Sequence, residues 1–283
     1  MILLVCLLAS AALTQEKPAP DKPADLSTEE ILRRAVERFA WSDAQKFDQK
    51  YVSTFHSFHE EFDSKGELKT HVERVVQVVP LGPNLRGHRV LEKDGKPTSA
   101  AERKAQWERE QKATAEADKN KRKPGARHNS SDEGDMAFNN AMVAKYNWKL
   151  LGTQVLDGRP AYFLSLDPKK DAPVHHMVDH ILNKVAGRIW FDAQEFEIVR
   201  ADAHLTENAS ILAGIVGSMK RADIFFEQTR MEDGAWLMRK MNYHIDARIA
   251  LFKTIRERHF EEHRDFRKVT PELIVESLKP PIS

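Results

Sequence analysis

Cysteine is almost absent from this chain of 283 residues, since Cys6 is the only one and lies in an apolar run at the start. If that run is removed, the mature chain has no thiol. Disulfides, cysteine nucleophiles and cysteine-ligated metals are then excluded together. We therefore expect the stability of the mature protein to depend on core packing.

An excess of charge of either sign is also missing. Lysine and arginine total 44 and aspartate and glutamate total 43, so the formal net charge is +1. Nucleic-acid-binding proteins usually carry a clear basic excess, and this balance argues against nucleic acid as a partner. The sequence also lacks a phosphate-binding loop, a dinucleotide fingerprint and a serine-hydrolase elbow, and nothing in it calls for a cofactor.

The apolar run at residues 1–14 is expected to be a secretory signal peptide, with an A-x-A cleavage sequence at 9–11. It is too short to span a membrane, and polar sequence follows at once. A buried N-terminal helix and a lipid anchor on Cys6 are the alternatives. The signal predicts a periplasmic or secreted protein of the cell envelope, with no transmembrane span in the mature chain. Residues 15–26 are proline-rich and polar, which predicts a tether.

Several segments have helical patterns. Ser27 and Glu30 form a capping box before an amphipathic helix that is predicted over 28–40. Residues 99–123 are a charged insertion whose apolar content is mostly alanine and Trp107, so we expect a solvated helix that packs weakly. Its basic end is either a solvated helix end or a patch for phospholipid headgroups. Shorter helices are predicted at 136–146 and 174–185.

Alternating apolar and polar residues predict half-buried antiparallel strands along most of the remaining sequence. A hairpin is expected at 51–62 and 68–79, and Asp-Gly dipeptides at 94, 157 and 233 favour tight reversals between other strands. No internal repeat is present. The pattern predicts one α+β domain over residues 27–270, in which a curved sheet hides its apolar face, followed by a tail at 271–283.

The order of strands and turns in the C-terminal two-thirds is familiar. It is carried by GRIWFDAQEFEIVRADAHL (187–205), GSMKRADIFFEQTRMEDGAWLMRKMNYHI (217–245) and FEEHRDFRKV (260–269). This order resembles the outer-membrane lipoprotein-sorting superfamily, the LolA/LolB-like proteins and their relative RseB, in a branch with a long charged helix. The resemblance covers residues 27–270. It implies a half-open antiparallel β-barrel covered by a few helices, which binds lipoprotein acyl chains or monitors envelope components without catalysis.

An apolar sheet face that helices cover incompletely leaves a cavity in which a lipid could bind. We predict its mouth at the apolar run around Gly214 and its walls at aromatic residues. Plain core packing is the alternative for both sets, because aromatic residues in strands are usually core. The candidate ligand-binding residues are Ile211, Leu212, Ile215 and Val216 at the mouth, and Trp190, Phe225, Trp236 and Phe252 in the interior.

Two histidine clusters are weak candidates for a metal site. His259 and His263 lie in HFEEH, which with Glu262 matches the inverted zinc-protease motif H-x-x-E-H. A helix would bring both rings to one ion, whereas a strand would separate them by ~13 Å. The surrounding charges suit cross-strand pairing, so we expect a strand. In HHMVDH, His176 and His180 would share a helix face, as metal ligands or as a polar face without function.

The sequence therefore predicts non-catalytic binding of an apolar ligand, a lipid or the acyl chains of a lipoprotein, in a half-barrel cavity. An envelope protein-interaction or sensor module, with a protein partner, is the alternative from another class. A zinc hydrolase that uses His259, Glu262 and His263 is a remote third.

Overall fold

The computed structural model describes residues 24–82, 85–121, 137–174, 176, 178–211, 217–249 and 253–281. Within these residues the chain forms one antiparallel sheet and a few helices. The strands are Tyr51–Phe62 (β1), Leu68–Gly82 (β2), Leu85–Lys93 (β3), Lys96–Pro97 (β4), Tyr146–Leu156 (β5), Arg159–Pro168 (β6), Val185–Asp192 (β7), Ile198–Leu205 (β8), Ala209–Ile211 (β9), Gly217–Arg230 (β10), Trp236–Ile249 (β11) and Lys253–Lys268 (β12). The helices are Thr28–Gln45 (α1), Phe47–Lys50 (α2), Ala100–Lys121 (α3), Asn140–Ala144 (α4), Asp179–Leu182 (α5) and Pro271–Ser277 (α6).

The 12 strands follow the order β4-β3-β2-β1-β12-β11-β10-β8-β7-β6-β5, and β9 pairs beside β10. The last strand, β12, pairs with the first, β1, from Tyr51 opposite Lys268 to Glu61 opposite Glu257. The two ends of the domain therefore meet in the middle of the sheet. In the part of the chain that the structure describes, the edge strands β4 and β5 do not pair with each other. The fold is the predicted α+β arrangement, a curved antiparallel sheet that forms a half-open barrel.

The predicted Asp-Gly reversals are confirmed. Asp94 and Gly95 have φ values of 51° and 72°, and Asp157 and Gly158 have values of 49° and 76°. Positive φ at both central residues is the signature of the hairpin turn that matches the natural twist of paired strands. These turns join β3 to β4 and β5 to β6, and the third reversal, at Gly234, joins β10 to β11.

Helix α1 begins as predicted, because the hydroxyl of Ser27 accepts a hydrogen bond from the amide of Glu30 at 3.2 Å. The apolar side chains of α1 pack on β6 and β7, and aromatic side chains pack around them. The buried members of this core are Ile31, Leu32, Ala35, Phe138, Tyr162, Leu164, Ile189 and Phe191. The chain's own side chains thus fill the sheet face under α1.

Helix α3 matches the predicted charged segment 99–123, but polar contacts anchor it more firmly than its composition suggests. Glu110 is only 7% exposed and accepts hydrogen bonds from Arg89 of β3. The side chain of Gln106 accepts from the amide of Val90 at 2.7 Å. The indole of Trp107 donates to the carbonyl of Leu278 at 3.2 Å. Hydrogen bonds therefore replace the apolar contacts that the helix lacks.

Two predicted helices are shorter than expected. Among the described residues of 136–146 the helix is α4, and β5 begins at Tyr146. Among those of 174–185 the helix is α5. A buried ion pair between Lys145 and Asp179, 2.8 Å apart, ties the two segments together. The hydroxyl of Tyr146 also donates to the carbonyl of Leu182 at 2.8 Å. These tertiary contacts outweigh the local helical pattern.

The structure describes most of the C-terminal segment of the chain but little of the N-terminal one. The segment 271–283, expected to be a tail, begins with helix α6, whose Thr270 cap accepts a hydrogen bond from the amide of Leu273 at 3.2 Å. The signal segment 1–14 and most of the tether 15–26 lie outside the described residues, so they stay predictions. No helix in the described ranges is long and apolar enough to cross a membrane.

Candidate functional site

A row of side chains crosses the middle of the sheet from β10 to β1. Strand pairing places Phe225 opposite Asn242, Asn242 opposite Phe260, and Phe260 opposite Phe58. Directly opposed residues share one face of a sheet, so these four side chains point the same way. We call Phe58, Phe225, Asn242 and Phe260 the aromatic row.

The aromatic row lies on the face opposite to α1. Ala201 of β8 packs against the α1 core and is paired with Phe226 of β10. Successive side chains on a strand point to opposite faces, so Phe225 faces away from that core. The row therefore belongs to the sheet face that α1 leaves uncovered.

An open groove of about 470 Å³ runs over the aromatic row. The rings of Phe58 and Phe260 stack with their centroids 5.3 Å apart and an interplanar angle of 9°. All three phenylalanines are half-buried, so each presents part of its ring to the groove. The groove walls are lined by Arg188, Asp202, His204, Asp223, His244 and Arg258.

The charges along the groove are largely neutralised by each other. Arg188 pairs with Asp202 at 2.8 Å, and Arg258 pairs with Glu60 at 2.8 Å. Burial lowers the pKa of His244, and the charge of Arg221 lowers it further. The lowered pKa favours the neutral imidazole of His244. Such walls do not select strongly for one sign of ligand charge.

One polar atom in the aromatic row is unsatisfied. Asn242 Oδ1 is buried and, among the described residues, has no hydrogen-bond partner. A buried acceptor without a donor is costly, and it gains most when a ligand supplies an N–H or O–H. The amide of Asn242 can thus bind a polar group at a defined point of an otherwise aromatic floor.

Of the predicted ligand-binding residues, Phe225 lines the groove and Trp190 lies beside it. The Trp190 ring stacks on Phe163 at 4.6 Å, and its N–H donates to Gln154 at 2.9 Å. The guanidinium of Arg200 lies 5.7 Å from the Trp190 ring and 5.8 Å from the Phe225 ring. Trp190 is therefore a buried support for the end of the aromatic row.

Of the remaining predicted residues, Trp236 lies away from the groove. Trp236 donates its N–H to Glu195 at 2.8 Å and lines a separate concavity of about 380 Å³. Ile211 lies in the short strand β9. The others, Leu212, Ile215, Val216 and Phe252, lie outside the described residues.

Sequence reasoning missed Phe58 and Phe260. Both occupy alternating positions in segments that were predicted as strands, and this alternation is the available signal. It becomes informative only when β1 is known to pair with β12, because that pairing stacks the two rings.

The segment around HFEEH is a strand, as expected, so the zinc-binding helix does not form. His259, Glu261 and His263 share the α1 face of the sheet, whereas Glu262 points to the other face. Glu261 contacts both histidines, with His259 Nε2 at 3.3 Å, and His263 Nδ1 lies 2.8 Å from the hydroxyl of Ser53. Among the described residues, no group of three histidine, cysteine, aspartate or glutamate side chains is placed to hold a metal ion.

The expected shared helix face in HHMVDH is also not formed. His176 is exposed and precedes α5, and His180 lies inside that four-residue helix. Asp179 Oδ2 accepts a hydrogen bond from the backbone amide of His176 at 2.9 Å, and Asp179 Oδ1 pairs with Lys145. The carboxylate of Asp179 therefore stabilises the backbone conformation before α5 and its contact with Lys145.

Comparison with known proteins finds no matching protein-family model and no match among curated proteins. Among solved structures, the chain is similar to an outer-membrane lipoprotein-sorting protein domain from Vibrio parahaemolyticus, with 11% identity, a TM-score of 0.32, and coverage of 87% of this chain and 99% of that one. A LolA superfamily protein from Nitrosomonas europaea has 12% identity, a TM-score of 0.30, and coverage of 88% and 97%. A chain of the Pseudomonas aeruginosa MucA/MucB complex has 12% identity, a TM-score of 0.24, and coverage of 90% and 100%. The fold itself is established by the strand pairing described above.

Proposed function

We propose that this protein binds an apolar ligand without catalysing a reaction, and that an alkyl chain of a lipid or lipoprotein lies along the aromatic row. The observation that carries the proposal is the set of three half-buried phenylalanines on the floor of one open groove. The apolar run at 1–14, which predicts a signal peptide, supports a site of action in the cell envelope.

The groove is open, so it covers a bound chain on one side. Full burial of a CH₂ group is worth ~0.8 kcal/mol, and one-sided burial about half of that. We therefore expect reversible binding of moderate strength, which suits a protein that passes its ligand on.

Asn242 and the paired wall charges favour an amphipathic ligand over a plain hydrocarbon. Asn242 Oδ1 needs a donor, and a hydroxyl or amide next to an alkyl chain would supply one. The neutralised pairs on the walls tolerate a polar end without demanding a particular charge.

Binding of a fluorescent fatty acid to the full chain tests this proposal. Phe225→Ala and Phe260→Ala should each weaken binding about tenfold, because each removes a ring from the floor. Phe47→Ala is the matched control, since Phe47 is a half-buried phenylalanine on α2, away from the groove. Absence of probe binding by the parent, or equal affinities in all four proteins, would refute the proposal.

The exposed edge of β5 favours a second candidate, binding of an envelope protein. Leu151 and Val155 are 44% and 60% exposed, and β5 pairs only with β6 in the described structure. An extended peptide adds to such an edge through main-chain hydrogen bonds. Leu151→Asp with Val155→Asp should abolish partner binding and leave fatty-acid binding unchanged, whereas the groove variants should do the reverse.

A further inference from the structure

A second row of like side chains crosses the other end of the sheet. Pairing places Arg74 of β2 opposite Lys93 of β3, and Lys93 opposite Lys96 of β4. We call Arg74, Lys93 and Lys96 the cation row. Like charges directly opposite each other on a sheet destabilise it. A row of three such charges is therefore costly to the protein in isolation.

Backbone geometry fixes the cation row in place. Asp94 and Gly95 form the two-residue turn between β3 and β4, which places Lys93 and Lys96 on either side of it. The amide of Asp94 donates to the carbonyl of Glu73 at 2.9 Å, and its carboxylate accepts from the amide of Glu73 at 2.9 Å. The three cations are thus held together by hydrogen bonds to β2.

Helix α3 converts the cation row into a concavity. The space between α3 and strands β2 to β4 measures about 810 Å³, and Arg109 of α3 adds a fourth cation to its lining. All four cationic side chains are exposed. A concave surface on which one sign of charge is in excess concentrates ligands of the opposite sign.

Two carboxylates, Asp94 and Glu102, also line this concavity, and hydrogen bonds from Ser99 together with the charge of Lys93 lower the pKa of Glu102, so four cations face two anions. Asp94 is engaged by the backbone of Glu73. Glu102 accepts hydrogen bonds from the amide and hydroxyl of Ser99, at 2.9 Å and 2.7 Å. Within the described ranges, none of the four cations has a carboxylate at ion-pairing distance.

We propose that the cation row and Arg109 form a docking surface for an anionic lipid surface, whose phosphate groups enter the concavity between α3 and the sheet. Arginine and lysine both donate to phosphate oxygens, and arginine can do so with two parallel hydrogen bonds. The sequence that closes α3 and follows it, KNKRK at 119–123, is basic as well.

This surface is distinct from the aromatic row, which lies on central strands. The proposal therefore goes beyond ligand binding in the groove and does not depend on it. An anionic surface attracts each nearby lysine or arginine, and the attraction falls off within a Debye length. Docking should therefore weaken steeply as the salt concentration rises.

The test is flotation of the full chain with vesicles of phosphatidylcholine, with and without phosphatidylglycerol. The parent should bind only the anionic vesicles, and Lys93→Gln with Lys96→Gln should weaken that binding about tenfold to thirtyfold. The matched control is Lys220→Gln with Lys253→Gln, which changes the net charge equally at two exposed lysines of β10 and β12. The control pair should bind like the parent, and fatty-acid binding should be unchanged in both pairs.

Three results would overturn this inference. The first is that the parent binds vesicles with and without phosphatidylglycerol equally. The second is that both double variants weaken docking equally, which would show that net charge, and not the cation row, is the cause. The third is calorimetric binding of inorganic phosphate at Lys93 and Lys96 without vesicle binding, which would make the concavity a site for small anions. Loss of fatty-acid binding by Phe260→Ala with docking retained would support the independence of the two surfaces.

Discussion

Arg159 binds both carboxylate oxygens of Asp192, through Nε at 2.7 Å and Nη2 at 2.9 Å. Asp192 is fully buried, and its Oδ1 also accepts from the backbone amides of Gln194 and Glu195. One side chain thus closes the turn from β7 to β8. Glu195 in turn pairs with Arg38 of α1 at 3.2 Å. This network connects the turn to the helix that covers the core.

The first prediction is that Asp192→Ala strongly destabilises the domain. It removes the two-oxygen partner of the partly buried Arg159 guanidinium, which keeps only the longer contact with Glu195 at 3.5 Å, and it leaves two turn amides without their acceptor. Breaking such a pair from one side is expected to lower the free energy of unfolding by about 3 kcal/mol. Urea unfolding followed by circular dichroism measures this change.

Asp202→Ala is the control for this prediction. Asp202 also pairs with an arginine, Arg188, but 55% of the Arg188 side chain is exposed. A solvated pair of this kind contributes less than about 1 kcal/mol. An equal decrease in the free energy of unfolding of Asp192→Ala and Asp202→Ala would contradict the prediction, because it would show that burial of Asp192 does not strengthen its ion pair.

The second prediction concerns Arg89, which joins three elements. It donates to Glu110 of α3 and to the carbonyl of Ser277 at the end of α6. Glu110→Ala should therefore loosen both helices while the central sheet stays intact. We expect the free energy of local opening to fall by about 2 kcal/mol, seen as faster amide hydrogen exchange over 100–121 and 271–277. Glu108→Ala removes an exposed carboxylate from the same helix and should leave exchange unchanged.

The hairpins and the N-terminal helix could be predicted because their signals are local. An Asp-Gly dipeptide between alternating segments specifies a turn, and the turns at Asp94 and Asp157 confirm this. The Ser27 cap is equally local, since its partner is the amide of Glu30. In these elements the residues that determine the structure are neighbours in the sequence.

The candidate site could be predicted only in part, because it depends on contacts between distant residues. Phe225 was a candidate, but its row requires the pairing of β1 with β12, which stacks Phe58 on Phe260. The helix expected at 174–185 failed for a similar reason. The buried contact of Asp179 with Lys145 is favourable only in the folded domain, and no local pattern encodes it.

The last prediction is a dependence of stability on pH that arises at Glu261. Burial alone would raise the pKa of Glu261, but hydrogen bonds and charges from His263 and His259 outweigh burial and lower it below its ordinary value of 4.5. A carboxylate with a depressed folded-state pKa contributes stability above its unfolded pKa. That contribution is lost as the pH falls through the folded pKa. The domain should therefore lose stability below pH 4.5 partly because Glu261 takes up a proton.

Glu261→Gln should accordingly lower the free energy of unfolding near neutral pH. Below pH 4.5, the free energy of unfolding of this variant should decrease less with falling pH than that of the parent. Urea unfolding at a series of pH values from about 3 to 7 measures both effects. Glu262→Gln, which removes the neighbouring carboxylate on the opposite face, controls for the change in net charge. If the free energy of unfolding of Glu261→Gln decreased as steeply below pH 4.5 as that of the parent, the histidine contacts of Glu261 would not be the source of this pH dependence. The sign follows from the geometry, because a carboxylate that contacts a histidine through each of its two oxygens is stabilised in its charged form, and protonation neutralises that charge.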